Sequence, residues 1–246
     1  MADLAIIGGT GLTQLDALNI SDREIVHTPY GEPSAPLSHG HLFGREIMFL
    51  PRHGYGHTIP PHKINYRANL WALKEAGAKC VFAVAAVGGI RVDMLPSQLV
   101  VPDQIIDYTF SRVTTFFEEG LKQVVHIDFT NPYSEALRKK ILQAGKAAKV
   151  EVIDGATYAA TQGPRLETAA EINRLEKDGC DIVGMTGMPE AGLARELELD
   201  YATCAVVANW AAGRGKGEIT MKDIEKELAN GMKKVAAILE QLVKLV

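Results

Sequence analysis

The chain has 246 residues, and 26 Lys and Arg stand against 30 Asp and Glu for a formal net charge of −4. Hydrophobic residues make up 47% and charged residues 23%, a globular composition that excludes a disordered or fibrous chain. The mildly acidic balance argues against a nucleic-acid or membrane-surface partner, and no run approaches the roughly 18 apolar residues of a spanning helix.

In chain order, residues 4–7 form an apolar strand that runs into Gly8-Gly-Thr-Gly11, where freed backbone N–H groups and the Thr10 hydroxyl suit an anion. A glycine-rich turn without a ligand fits this segment as well. A dinucleotide fingerprint fits poorly, because Gln14 stands where a third glycine is needed. Residues 31–40 are polar and carry Pro and Gly, which predicts a loop. A strand at 46–50 leads into Pro51-Arg-His-Gly-Tyr-Gly-His57, in which the planar fork of Arg52 suits phosphate oxygens and His53 is a neighbouring donor. A solvated basic loop is the alternative. A metal pair from His53 and His57 would need a helix that Gly54 and Gly56 disfavour, so no metal is expected.

Helical spacing covers 64–75, with Gly77 as a stop, and strands follow at 80–87 and 99–101. A second helix spans 133–148 and a strand 151–153. Gly163-Pro164 then breaks the chain before a helix at 167–178, which places Glu167 at a helix start, where an acid also suits the dipole. A strand at 181–185 opens into a helix with Thr186 placed as an anion donor and Met185 as possible core filler. The strand at 203–208 ends at Asn209, often a turn residue. The last helix starts at a capping-box-like Thr220-Met-Lys-Asp223, and Leu228, Met232, Val235, Ile238, Leu239 and Leu242 form its apolar face.

Apolar runs that do not alternate suit strands covered on both faces, so the pattern predicts an α/β fold with a largely parallel sheet flanked by helices. No linker interrupts it, and one domain spanning 1–246 is expected. Ligands in such sheets collect beyond strand carboxyl ends, where four of the five polar segments lie. Cys80, Cys180 and Cys204 are far apart and sit in apolar runs, which predicts buried thiols in a reducing cytoplasm. Met1-Ala2-Asp3-Leu4 lacks the basic-then-apolar pattern of a secretion signal.

Six segments together resemble the trimeric purine nucleoside phosphorylase and methylthioadenosine phosphorylase family. They are Gly8-Gly-Thr-Gly11, Arg52-His53 with His57, Ile64-Asn-Tyr-Arg-Ala-Asn69, Ala86-Val-Gly-Gly89, Gln162-Gly-Pro-Arg165 and Met185-Thr186. The resemblance covers nearly the whole chain. It implies an α/β domain with a mixed, partly barrel-like sheet and a homotrimer. It also implies inorganic phosphate as co-substrate, with no metal or organic cofactor. Thr10, Arg52, His53 and Thr186 would hold phosphate together with the backbone at Ala85 and Ala86, since Ala85 replaces a side-chain donor of the family. Met185 would contact the ribose, and His126 would line its 5′ end from a neighbouring subunit.

The resemblance also divides substrates. Members that cleave adenine nucleosides carry Asp at the positions of Asn209 and Ala211, whereas members that cleave 6-oxopurines pair an Asn with a Glu at the position of Glu167. Glu167 can accept from the N1–H of hypoxanthine, a proton that neutral adenine lacks, while Asn209 donates toward O6 or N7. His126 and the motif set lie nearer the methylthio branch. The substrate expected is therefore 5′-methylthioinosine. The alternatives are a methylthioadenosine phosphorylase, an inosine or guanosine phosphorylase, and a nucleoside-binding protein without turnover.

Overall fold

The structure, a computed structural model, describes residues 2–9, 12 and 18–246. The strands are β1 (Leu4–Gly8), β2 (Leu18–Glu24), β3 (Leu37–Leu42), β4 (Arg45–Pro51), β5 (Cys80–Gly89), β6 (Leu99–Val101), β7 (Gln104–Asp107), β8 (Val152–Asp154), β9 (Thr157–Ala160), β10 (Ile182–Gly184) and β11 (Asp200–Trp210). The helices are α1 (Tyr66–Glu75), α2 (Glu135–Ala147), α3 (Ala169–Lys177), α4 (Glu190–Glu196) and α5 (Met221–Leu242).

The strands form one mixed sheet around β5. Along one edge β5 pairs in parallel with β11, from Cys80↔Asp200 to Gly89↔Trp210. Along the other edge its first half pairs in parallel with β1 and its end pairs antiparallel with β10, at Gly88↔Val183. This splaying gives the sheet its two wings, β10-β9-β7 and β11-β6-β8. The parallel pairing expected from the apolar runs holds at the centre, where β4, β1, β5 and β11 run together, and within the wings at β10-β9-β7 and β6-β8. The sheet is mixed because β3 is antiparallel to both β2 and β4, and each wing joins the centre through an antiparallel pair. The segment 31–40, expected as a loop, yields its end to β3, in which Leu37 and Leu42 are buried while Gly40 and His41 interrupt the apolar pattern.

Both faces of the central strands are covered, as continuous apolar runs require. Leu4 and Ile6 of β1 face a cluster that includes Leu137 and Ile141 of α2 and Val235, Ile238 and Leu239 of α5. Ala5 and Ile7 face the opposite cluster, with Leu70 and Leu73 of α1 and Leu193 of α4. Each fully buried aliphatic side chain contributes about 1.5–3 kcal/mol relative to exposure. Helix starts are set by side chains: Asn65, Ser134 and Thr220 accept from the N–H groups of Ala68, Leu137 and Asp223. With helices on both faces, the free space lies where the strand ends meet.

Candidate active site

One cleft collects the ends of β1, β4, β5, β10 and β11. It is lined by Gly9, Arg52, His53, Ala86, Met185, Thr186 and Asn209, by Glu167 ahead of α3, and by Ile224, Leu228 and Met232 of α5.

At one end of the cleft lies Arg52, 2% exposed. Its Nε and Nη2 donate to the two carboxylate oxygens of Glu190, both at 2.7 Å, and Nη1 donates to the Val84 carbonyl at 2.8 Å. The planar fork expected to face phosphate therefore grips Glu190, and only the remaining N–H groups of Nη1 and Nη2 are left for a ligand. Burial opposes the guanidinium charge, but the Glu190 carboxylate outweighs it and holds the group protonated, above its ordinary range. Glu190 also accepts from the Tyr201 hydroxyl at 2.8 Å. Burial raises that hydroxyl well above its ordinary range, so it stays a neutral donor.

The Nδ1 atom of His53 lies 2.9 Å from the Ile59 carbonyl, and the ring stacks on His57 at 4.2 Å between centroids. Burial pushes the imidazole down to about 4, with Arg52 and His57 adding to the effect and the Ile59 carbonyl opposing it. A neutral ring whose Nδ1–H donates to Ile59 keeps Nε2 as an acceptor. His53 thus presents an acceptor at Nε2 in its neutral form, where the sequence reading had a donor. Thr186 is buried, and its backbone N–H donates to the Tyr158 hydroxyl at 3.4 Å. Along β5 both Ala85 and Ala86 line the cleft, Ala85 buried in a cluster with Val87 and Tyr158 and Ala86 exposed. Thr10 lies outside the described residues.

Glu167 and Asn209 line the same cleft from different elements. Glu167 is not at a helix start: Thr168 caps α3 in a reciprocal box with Glu171, so the dipole account applies to Glu171. The Glu167 carboxylate instead accepts from the Thr161 hydroxyl at 2.6 Å. Asn209 does not end its strand, since β11 continues to Trp210. The β11–β5 register shifts between Val207 and Asn209, an irregularity of the kind that re-aims side chains. Its Nδ2 donates to the Trp210 carbonyl at 2.7 Å, which leaves the second N–H and Oδ1. Ala211 is 2% exposed and lines the cleft close to Gly88, and an atom at the Gly88 Cβ position would lie 3.3 Å from the Ala211 Cα. Gly163 has φ +61, and a Cβ there would meet the Met185 sulfur at 2.4 Å, so the chain before α3 closes directly on Met185.

Met185 is half-buried and lines the same cleft as Leu228 and Met232 of α5. His126 is exposed, in the irregular stretch between β7 and α2, and does not line the cleft of its own chain. The sequence reading assigned no role to Glu190, Tyr201 or Thr161. Glu190 stood in a segment already singled out, after Met188-Pro189, and an acid beside a strand-end anion site was the available signal. Among the described residues, no three His, Cys, Asp or Glu side chains gather as a metal site. Among the same residues, no helix is long and apolar enough to cross a membrane.

The model of the phosphorylase superfamily matches residues 3–244. The chain belongs to that superfamily. This phosphorylase is 56% identical over 243 residues to a probable S-methyl-5′-thioinosine phosphorylase of Pseudomonas syringae pv. tomato, covering 99% of each chain. It is 46% identical over 229 residues to the 6-oxopurine nucleoside phosphorylase of Pyrococcus furiosus, covering 91% of this chain and 85% of that one. Among solved structures, a methylthioadenosine phosphorylase from an antarctic soil metagenomic library superposes with a TM-score of 0.92 at 37% identity, over 99% of this chain and 86% of that one. The fold and motif set are those of a nucleoside phosphorylase, an enzyme of the pentosyltransferase type.

Proposed function

We propose that this phosphorylase converts 5′-methylthioinosine and inorganic phosphate to hypoxanthine and 5-methylthioribose 1-phosphate. The observation that carries the reading is that Glu167 and Asn209 line one cleft together with Ile224, Leu228 and Met232 of α5. A carboxylate accepts from the N1–H of a 6-oxopurine, and a carboxamide N–H meets O6 or N7 as charge builds on the ring. Adenine offers a lone pair at N1, and leaving the carboxylate without a donor in a dry site can cost on the order of 10⁴ in discrimination. Ile224, Leu228 and Met232 supply an apolar surface that a methylthio group fills better than a hydroxyl.

In the reaction a phosphate oxygen forms the bond to C1′ as the C1′–N9 bond breaks. The electron pair passes into the purine, and the proton that hydrogen phosphate gives up on becoming the sugar phosphate dianion balances the one the departing purine gains. Arg52, His53, Thr186, Thr10 and the backbone at Ala85 and Ala86 hold the phosphate, and Met185 lies against the ribose. Positioning of phosphate and stabilisation of the leaving purine supply the rate. No metal or organic cofactor takes part. Exposed Phe110, Leu121, Val124, Val125 and Ile127 surround His126 in sequence, which suits a homotrimer in which that segment meets a neighbouring subunit's site. Three free, buried cysteines suit the cytoplasm, and one domain spans the chain.

The test is steady-state phosphorolysis of methylthioinosine, methylthioadenosine, inosine and guanosine side by side. Methylthioinosine should have the highest kcat/KM. An equal or greater value for methylthioadenosine would defeat the base assignment, and an equal value for inosine would defeat the sugar assignment.

A further inference from the structure

The irregular stretch between β7 and α2 sends one cationic side chain into the framework of the cleft. Arg112 donates through Nη1 to the carbonyls of Met185 at 2.8 Å and Met188 at 2.6 Å, and to the Tyr66 hydroxyl at 3.2 Å. Through Nη2 it donates to the carbonyls of Thr161 at 3.2 Å and Gln162 at 2.9 Å. Its Nε donates to Oε1 of Gln162 at 3.1 Å, and the guanidinium lies 5.5 Å from the Tyr66 ring centroid. One nitrogen thus holds the stretch that carries Met185 and Thr186. The other holds the stretch from which Thr161 bonds Glu167.

We infer that Arg112 is a positioning residue that keeps the base-reading carboxylate in register with the sugar and phosphate end of the cleft. The roles of the two stretches rest on the proposed function, whereas the clamp between them does not. A guanidinium carries five N–H donors in one plane at fixed angles, so bonds from both Nη atoms fix the mutual orientation of the stretches as well as their separation. The acceptors are neutral carbonyl, amide and hydroxyl oxygens, and the charge on the donor strengthens each bond. A lysine ammonium keeps the charge but donates from a single point, so it cannot span both stretches. Arg112 touches neither reacting atom. Its influence is through geometry, where a displacement of about 1 Å is enough to cost on the order of 10² in rate.

The experiment compares wild type with R112K, and with Q162L, which removes the side-chain oxygen that accepts from Arg112 Nε and from the Phe110 N–H while leaving both Nη atoms their acceptors. It measures kcat, KM and the ratio of kcat/KM for methylthioinosine over methylthioadenosine, with melting temperature recorded for each variant. R112K should lower kcat/KM about 10²-fold, mainly through kcat, and should bring the base ratio about tenfold closer to unity. Q162L should move both in the same direction by several-fold, and it carries the test alone if R112K does not fold. Wild-type kcat, KM and base ratio in the variants would overturn the inference, whatever happens to the melting temperature. So would a fall in activity that leaves the base ratio unchanged. If wild type itself prefers methylthioadenosine, the substrate reading fails, but the clamp still requires the variants to move the ratio toward unity.

Discussion

Two buried groups at the proposed phosphate end are held in fixed charge states, Arg52 by its carboxylate partner and His53 chiefly by burial. Arg52 and Glu190 are buried as a bidentate pair, 2% and 0% exposed. Removing one member of such a pair leaves a buried charge without compensation and costs about 3–5 kcal/mol. Glu190→Gln should lower unfolding stability by that order in urea denaturation and raise the phosphate KM, because Arg52 is then free to reorient. A variant with wild-type stability and phosphate KM would show that Arg52 is held by other means. His53 works in the opposite sense. Its ring is depressed to about 4 in the folded chain, from an ordinary 6.5, chiefly by burial. Above pH 6.5 both states are neutral and the full stability is present. As pH falls from 6.5 toward 4 the unfolded chain binds a proton that the folded ring refuses, and stability is lost by roughly 1–3 kcal/mol. In His53→Gln the melting temperature should therefore fall less steeply across that window than in wild type, and parallel profiles would contradict the assignment.

Helix α5 joins the core to the cleft. Its residues Val235, Ile238, Leu239 and Leu242 are fully buried, while Leu228 and Met232, about two turns and one turn earlier, line the cleft. Close approach to β11 is set at Gly231, where a Cβ would lie 2.2 Å from a Val206 methyl. Gly231→Ala should push α5 away from β11, lower stability by about 1–3 kcal/mol and reduce the preference for methylthioinosine over inosine. Calorimetry and the two kcat/KM values check this, and an unchanged sugar preference would remove α5 from the 5′ pocket. This helix was readable in advance because its apolar positions recur at helical spacing and Thr220 caps it. Strands β2 and β7 were not readable. β2 reads Leu-Asn-Ile-Ser-Asp-Arg-Glu and is almost wholly exposed, and β7 is four half-polar residues. Edge strands of this kind are made by their neighbours, so local pattern carries little of their signal.

At the scale of the molecule, the site lies where the sheet splays, with β1 and β10 sharing one edge of β5 and β11 filling the other. Polar residues that interrupt or follow apolar runs marked most of it: Arg52 and His53, Thr186 and Asn209 could be found from sequence because each breaks such a run. The partners that orient them could not. Glu190 lies 138 residues from Arg52, and Thr161 and Arg112 sit in stretches without periodicity. A buried pair leaves no local trace of its other half, and for that reason the sequence did not show that Glu190 takes two N–H groups of the Arg52 fork. The central claim is that a carboxylate and a carboxamide together read a 6-oxopurine. Equilibrium binding of hypoxanthine and adenine to wild type and to Glu167→Gln, in the presence of phosphate, tests it most directly. Hypoxanthine should bind wild type at least about 10²-fold more tightly than adenine, and most of that gap should vanish in the variant. Equal binding of the two bases to wild type, or an undiminished gap without the carboxylate, would contradict it.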